Sequence, residues 1–338
     1  MSPSVPAPSG GTRAPEPATP GVPPAAPEPP PPRLLMILTE NHTLVDARDM
    51  RGLVRLAAVA EDAGFDAVMV SEQTMLSGDA DRNGLMSNPR MYAAIGNQDP
   101  HTPWPSSVAT LAAVAATTER VRIVAGAIIP PLRHPLLLAK DLATVDLLCE
   151  GRLVIQPTVS WQSSEYAAHA IDFHRRGAIL DEHLAAMTAL WAESPAEFHG
   201  EFFDFEDAYS EPKPWRPDGP RMWFGGERMH PALVRRMVRY GSGFHPFGTP
   251  TDQDLELLAE GMAAAGRDVA ELELVGGTRA TFDGPDSVAD VERAMADIPD
   301  QIARGYTTFC MKPSQYTDDP AEVLEICLHM KELLCAMT

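Results

Sequence analysis

The sequence predicts an α/β protein folded as a (β/α)8 TIM barrel, preceded by a tail that does not fold. Three observations carry this. Val121–Ile129 and Leu153–Val159 are apolar runs without alternation, and such runs, bounded by turn residues, suit strands buried on both faces of a parallel sheet. Between them, Leu138, Leu142, Val145 and Cys149 recur at helical spacing, so strand, helix and strand form a βαβ unit. The same alternation continues until eight strands are placed over about 300 residues. That count and length favour a barrel over a doubly wound sheet.

Residues 1–32 consist mostly of Pro, Ala, Gly, Ser and Thr, with no large apolar residue beyond valine after the initiator methionine. Such a segment buries too little surface to offset its ordering entropy. A disordered, partly polyproline-II and dispensable tail is expected, with the folded domain at 33–338. Leu34–Leu38 is the first strand. A helix over Ala47–Ala63 follows, with Asp46 as its N-cap and Gly64 as its stop. The second strand, Asp66–Ser71, ends in Glu72 and Gln73. Thr74–Pro105 is a long polar stretch rich in Gly, Pro and Asn. A loop of that length inside a compact domain is usually functional or disordered, and its place after a strand suggests an active-site rim.

A helix over Ser106–Thr118 leads to the third strand. After the fourth, Leu180, Leu184, Met187 and Trp191 mark a one-sided helix, and Phe198–Phe205 alternates as a hairpin edge. The remaining strands are Met222–Gly225, Gly243–His245, Leu272–Gly276 and Thr307–Met311. Helices over Met229–Tyr240, Asp252–Ala265, Pro285–Arg304 and Ala321–Leu334 separate and close them.

A formal net charge of −20 argues against nucleic acid and anionic membranes as partners, because both repel an acidic surface. The four cysteines lack metal-like spacing, and three lie in apolar patterns. A reduced, cytoplasmic chain is therefore expected. No apolar run approaches the roughly 18 residues of a membrane span. His169, His174, His183 and His199 have no carboxylate or cysteine at a metal-ligand spacing, so they are read as surface residues and no metal site is expected.

In a barrel, chemistry collects at the C-terminal ends of the strands. Gly225 and Gly226 sit between a strand and a helix, where exposed amides can hold an anion and glycine admits a ligand to the backbone. Taken alone, the pair is read more readily as a plain tight turn, and Gly248-Thr249 is a second small, hydroxyl-bearing turn that a plain loop fits equally well. Trp161 fits a core aromatic or a pocket wall, and His134 a turn residue before Pro135.

Several short motifs also fall in one fixed order: Arg133-His134-Pro135, Glu150-Gly151-Arg152, Ser160-Trp161, Glu165-Tyr166, Arg176-Gly177 and Asp181-Glu182. That order resembles the bacterial luciferase-like oxidoreductases, especially the branch that uses coenzyme F420, and the resemblance covers roughly Leu34–Leu334. It implies a luciferase-like barrel that binds a reduced flavin-type cofactor at its mouth, acts on a small organic substrate and pairs as a homodimer. It places Gly225, Gly226, Gly248 and Thr249 against the cofactor ring, tail and phosphate, and adds Gly126, Ala127, Thr158 and Ser164 as cofactor contacts. It further implies a cis peptide at Gly126-Ala127.

Glu72 and Gln73 stand where relatives carry an acidic residue followed by histidine. The amide of Gln73 does not titrate, which leaves Glu72 as the expected proton-moving group, worth on the order of 10²–10⁴-fold in turnover. Ser160 stands where some hydride-transferring relatives place a glutamate, and Pro157–Ser160 replaces a glycine-rich run. Three functions follow. The first is F420-dependent hydride transfer to or from a small organic substrate. The second is oxygenation with FMNH2 supplied by a separate flavin reductase. The third is a non-catalytic barrel that binds a ligand only.

Overall fold

The computed structural model describes residues 30–337, so the tail expected over residues 1–32 lies almost wholly outside the described residues. Strand β1 (Arg33–Ile37) leads through helix α1 (Met50–Asp62) to β2 (Ala67–Val70). Helix α2 (Ser107–Thr117), β3 (Arg122–Ile128), α3 (Pro135–Leu148) and β4 (Leu153–Pro157) complete the first half of the barrel. An excursion of α4 (Ser163–Ala168), α5 (Arg176–Ala192) and the antiparallel pair β5 (Ala196–His199) and β6 (Asp204–Ala208) precedes β7 (Arg221–Phe224). Helix α6 (Pro231–Tyr240), β8 (Gly241–Phe244), α7 (Asp252–Ala264) and β9 (Glu273–Gly277) follow, then α8 (Val291–Met295), α9 (Ile298–Ala303), β10 (Thr308–Met311) and α10 (Val323–Ala336). The sheet closes in the order β1-β10-β9-β8-β7-β4-β3-β2, with all neighbours parallel.

The apolar runs lack alternation because both faces of each strand are dry. Leu35, Ile37, Met69, Val124, Val154 and Trp223 point inward and pack with one another inside the barrel. Their sequence neighbours Leu34, Met36, Val68, Ile123, Leu153 and Phe224 pack outward beneath the helices. The strand starts are closed by charge. Arg122 bonds Asp66 and, at 2.7 Å, both oxygens of Glu273, while its guanidinium lies 5.4 Å from the Trp223 ring centre. Such closure belongs to the stabilising end of a barrel, opposite the end where function sits.

Two helix boundaries differ from the sequence-based expectation. Helix α1 starts at Met50 because Asp49 accepts from the Gly52 amide, while Asp46 is spent on the Arg48 amide in the preceding turn. The expected Pro285–Arg304 helix is two shorter ones. Asp290 caps the first, and Asp297 and Pro299 interrupt the register before the second. Gly64 does end α1, with a φ of 76°. Cys149, Cys310 and Cys327 are buried and Cys335 is exposed. No helix among the described residues is long and apolar enough to cross a membrane.

Candidate active site

A cavity of about 800 Å³ opens at the C-terminal ends of the strands. Ten of the sequence-predicted positions line it: Glu72, Gln73, Gly126, Ala127, Thr158, Ser160, Gly225, Gly226, Gly248 and Thr249. Ser164 does not. It is the second residue of the short helix α4, half-buried and outside the lining. The Gly126-Ala127 peptide is cis. Trp161 forms wall rather than core, with the Arg82 guanidinium 5.7 Å from its ring centre.

The carboxylate of Glu72 is fully engaged. Its side chain is 2% exposed, paired in a bidentate fork with Arg133. It also accepts from the Ser107 hydroxyl and, at 2.7 Å, from the Ile129 amide. Four donors fill its four lone-pair directions. The geometry therefore makes Glu72 an anchor for the β3–α3 turn. Ser160 is engaged too. Held at φ 55°, it donates at 3.1 Å to Glu165, a wholly buried carboxylate that also takes the amide and hydroxyl of Thr74 at 2.7 Å each.

The long loop after β2 roofs the cavity with Tyr92, Ala93, Ile95, Gln98 and Trp104. It is pinned at separate points. Thr74 bonds Glu165, Arg90 pairs with Asp318, and the Asn88 amide donates to the Gly284 and Ser287 carbonyls at 2.9 and 2.8 Å. Three buried polar atoms of lining residues have no hydrogen-bond partner among the described residues: Gln73 Oε1, Gln98 Oε1 and Trp104 Nε1. A buried polar group left unpaired is costly. Two acceptors and a donor are thus buried without a partner behind the cavity wall.

A match to the luciferase-like monooxygenase model spans residues 33–323. The chain belongs to the luciferase-like monooxygenase family. Among its relatives, an uncharacterized protein of Mycobacterium tuberculosis is 34% identical over 49% of this chain and 57% of its own length. The FMNH2-dependent dimethylsulfone monooxygenase of Pseudomonas putida is 29% identical over 51% of this chain and 42% of that one. The chain thus matches about half the length of these relatives. The F420-dependent glucose-6-phosphate dehydrogenase of Nakamurella multipartita is 26% identical over 80% of this chain and 73% of that one. The solved structure of monooxygenase RslO1 from Streptomyces bottropensis aligns with a TM-score of 0.68 at 22% identity, covering 90% of this chain and all of that one. That likeness concerns the fold.

Several lining groups of this luciferase-like barrel were given no role by the sequence reading, although His245 lay among the positions past the sixth strand. Gln156 Oε1, inside β4, accepts at 2.9 Å from His245 Nδ1, and burial pushes that imidazole down to about 4. His245 is thus a neutral hydrogen-bonding group at neutral pH. Glu40 and Tyr92 also line the cavity, and Lys312 lies behind them. Glu40 follows the first strand, whose end showed no motif, and no pattern in the loop or in β10 relates Tyr92 to Lys312.

His183 corrects another expectation. It is fully buried in α5, edge-on to Phe203 at 5.5 Å, and burial pushes it down to about 3. The unfolded chain therefore binds more protons than the folded one between the ordinary histidine value of 6.5 and about 3. Stability is full above 6.5 and is lost as pH falls through that window, and His245 adds to the trend. A lower urea midpoint at about pH 5 than at about pH 7.5 is expected, with a shallower difference in His183→Leu. Equal midpoints at both pH values would refute this assignment.

Proposed function

We propose that this protein transfers a hydride between coenzyme F420 and a small organic substrate. The observation that carries a flavin-type site is the shared wall of Gln73, Gly126 and Ala127, at the ends of two neighbouring strands of the cavity. A side chain at Gly126 would crowd Met69 and Gln156 at 3.0–3.1 Å, so this part of the wall stays flat. The residues present thus fit such a ring. Gly225 and Gly226 lie to one side. Gly248 has open space where a Cβ would stand, and Thr249 bonds Arg279 at 3.1 Å, so this turn suits the anionic tail. When bound, the cofactor supplies or accepts the hydride. The chain's own residues hold the ring, exclude water beneath the roof and exchange the accompanying proton.

F420 is favoured over FMN by the breadth of similarity to the F420-dependent dehydrogenase, 80% of the chain against 51% for the FMNH2-dependent monooxygenase. The latter supports a second reading, oxygenation with FMNH2 from a separate reductase. Titration of the intrinsic fluorescence with F420 and FMN in parallel separates the readings. Stronger quenching by F420 is expected. Tighter FMN binding would favour the oxygenase, and no binding of either would favour a non-catalytic barrel. The same preparation should behave as a homodimer in light scattering.

A further inference from the structure

Three side chains from separate strands meet at the floor of the cavity. Gln156 belongs to β4, His245 follows β8 and Cys310 belongs to β10, and all three line the cavity. Cys310 also packs with Met69, Val154 and Trp223 inside the barrel, so the cavity ends on that layer. The His245 ring stands edge-on to Trp223, with 6.3 Å between ring centres. It reaches Gln156 on one side and Cys310 on the other, and β4 and β10 lie opposite each other in the strand order. The imidazole therefore spans the barrel.

The direction of each hydrogen bond follows from one backbone carbonyl. Gln156 Nε2 lies 3.4 Å from the His245 carbonyl, which only accepts, so the NH2 end of the amide belongs there. Oε1 then accepts at 2.9 Å from His245 Nδ1–H, which leaves the neutral ring with its lone pair on Nε2. The partner of that lone pair is Cys310, with Sγ at 3.6 Å. Burial pushes the Cys310 thiol up to about 12, with the Glu273 charge adding to it, so it stays S–H at neutral pH. A thiol is a weak donor. Nε2 is thus a good acceptor held by a poor donor, on a ring that is half-buried.

The walls above this floor are aromatic. Tyr92, Trp104, Trp161 and Phe247 line the cavity, and Phe247, 45% exposed, lies 6.4 Å from His245 between ring centres. Such faces and edges favour a flat ring in stacked or edge-on contact. The floor itself offers no charge to an anion, because the amide, the thiol and the buried imidazole are all neutral. An aromatic hydroxyl fits both halves. Its ring suits the walls, and its O–H is a stronger donor than the thiol for Nε2.

We propose that His245 Nε2 accepts the hydroxyl of a hydroxyarene substrate in place of the Cys310 thiol, and that Gln156 is a positioning residue that holds the imidazole in the accepting tautomer. The hydroxyl anchors the ligand at the floor and is not the reacting group. That the ligand is a substrate rests on the hydride-transfer reading above, whereas the binding site itself rests on the floor residues.

The test measures binding of 4-fluorophenol and 4-fluoroanisole to the full chain by fluorine NMR, before any cofactor is added. The two probes share a ring, and only the phenol has a donor. The phenol should bind about tenfold more tightly, near the upper end of what one net hydrogen bond contributes. His245→Phe keeps a ring and removes the acceptor, so the two probes should bind equally. Gln156→Leu frees the tautomer and should lose most of the preference. Cys310→Ser sets a stronger donor against Nε2 and should weaken the phenol alone, whereas Cys310→Ala removes the competitor and should strengthen it. A purely structural floor would move both probes together in every variant. Equal affinities in the wild type, a preference that survives in both His245→Phe and Gln156→Leu, or no binding of either probe at millimolar concentration overturns the proposal. So does loss, in His245→Phe, of quenching by the cofactor that the wild type binds, because the imidazole would then belong to the cofactor. Failure of both F420 and FMN to bind the wild type removes only the hydride-transfer reading, since the phenol preference is measured first.

Discussion

Arg133→Met is expected to lower the unfolding free energy by about 3–5 kcal/mol, the range for breaking a buried ion pair by removing one partner. Glu72 is left behind with its side chain 2% exposed, keeping only the Ser107 hydroxyl and the Ile129 amide. Glu72→Gln should be milder. The Arg133 side chain is 23% exposed and its stranded charge can reach solvent. Glu72→Leu with Arg133→Met should recover much of the loss, because paired apolar substitutes escape the desolvation penalty. Urea denaturation of the three variants checks the order. A loss under about 1 kcal/mol for Arg133→Met would mean that the fork contributes no more than a surface pair. Turnover per folded molecule in Glu72→Gln should stay near wild type, since the carboxylate has no acceptor left for a substrate proton.

Gly225→Ala is the second large effect. A Cβ at Gly225 would lie far inside contact distance of the His245 carbonyl, a backbone atom of the neighbouring strand end that cannot swing away. Overpacking of this kind costs about 1–3 kcal/mol and sometimes more. Here it would also spread β7 from β8, where His245 N donates to the Phe224 carbonyl at 2.9 Å. Gly226→Ala meets the Leu233 methyl at 3.4 Å and the Arg228 carbonyl at 3.5 Å, both ordinary contacts, and should be nearly silent in a thermal melt. Cofactor titration on both variants adds the functional half. Affinity should fall with Gly225→Ala and change little with Gly226→Ala. Equal melting temperatures for the two would contradict the close approach.

The contrast between these glycines shows where sequence reasoning stops. Both were legible as a turn after a strand, and both line the cavity. Only the approach of the His245 carbonyl tells that Gly225 is glycine for the barrel's own backbone. Glu72 carries the same lesson. Its position after the second strand was legible. That Arg133, sixty-one residues on, takes up its carboxylate depends on β2 and β3 being neighbours and on the turn after Ile129. Glu40 went unnoticed because a lone glutamate after a strand has no local signature.

The sequence alone determined the alternation of strands and helices, their closure as a barrel and the end at which function lies. Those follow from local periodicity, from turn chemistry and from the need to bury apolar faces, all short-range properties of the chain. Tertiary structure decided which polar groups are spent and which are available. Glu72 and Glu165 are consumed by long-range hydrogen bonds, whereas Gln73, Gln98 and Trp104 each keep a buried polar atom without a partner among the described residues. Hydrogen-bond capacity is satisfied between residues far apart in sequence, so no reading of spacing along the chain could have assigned it.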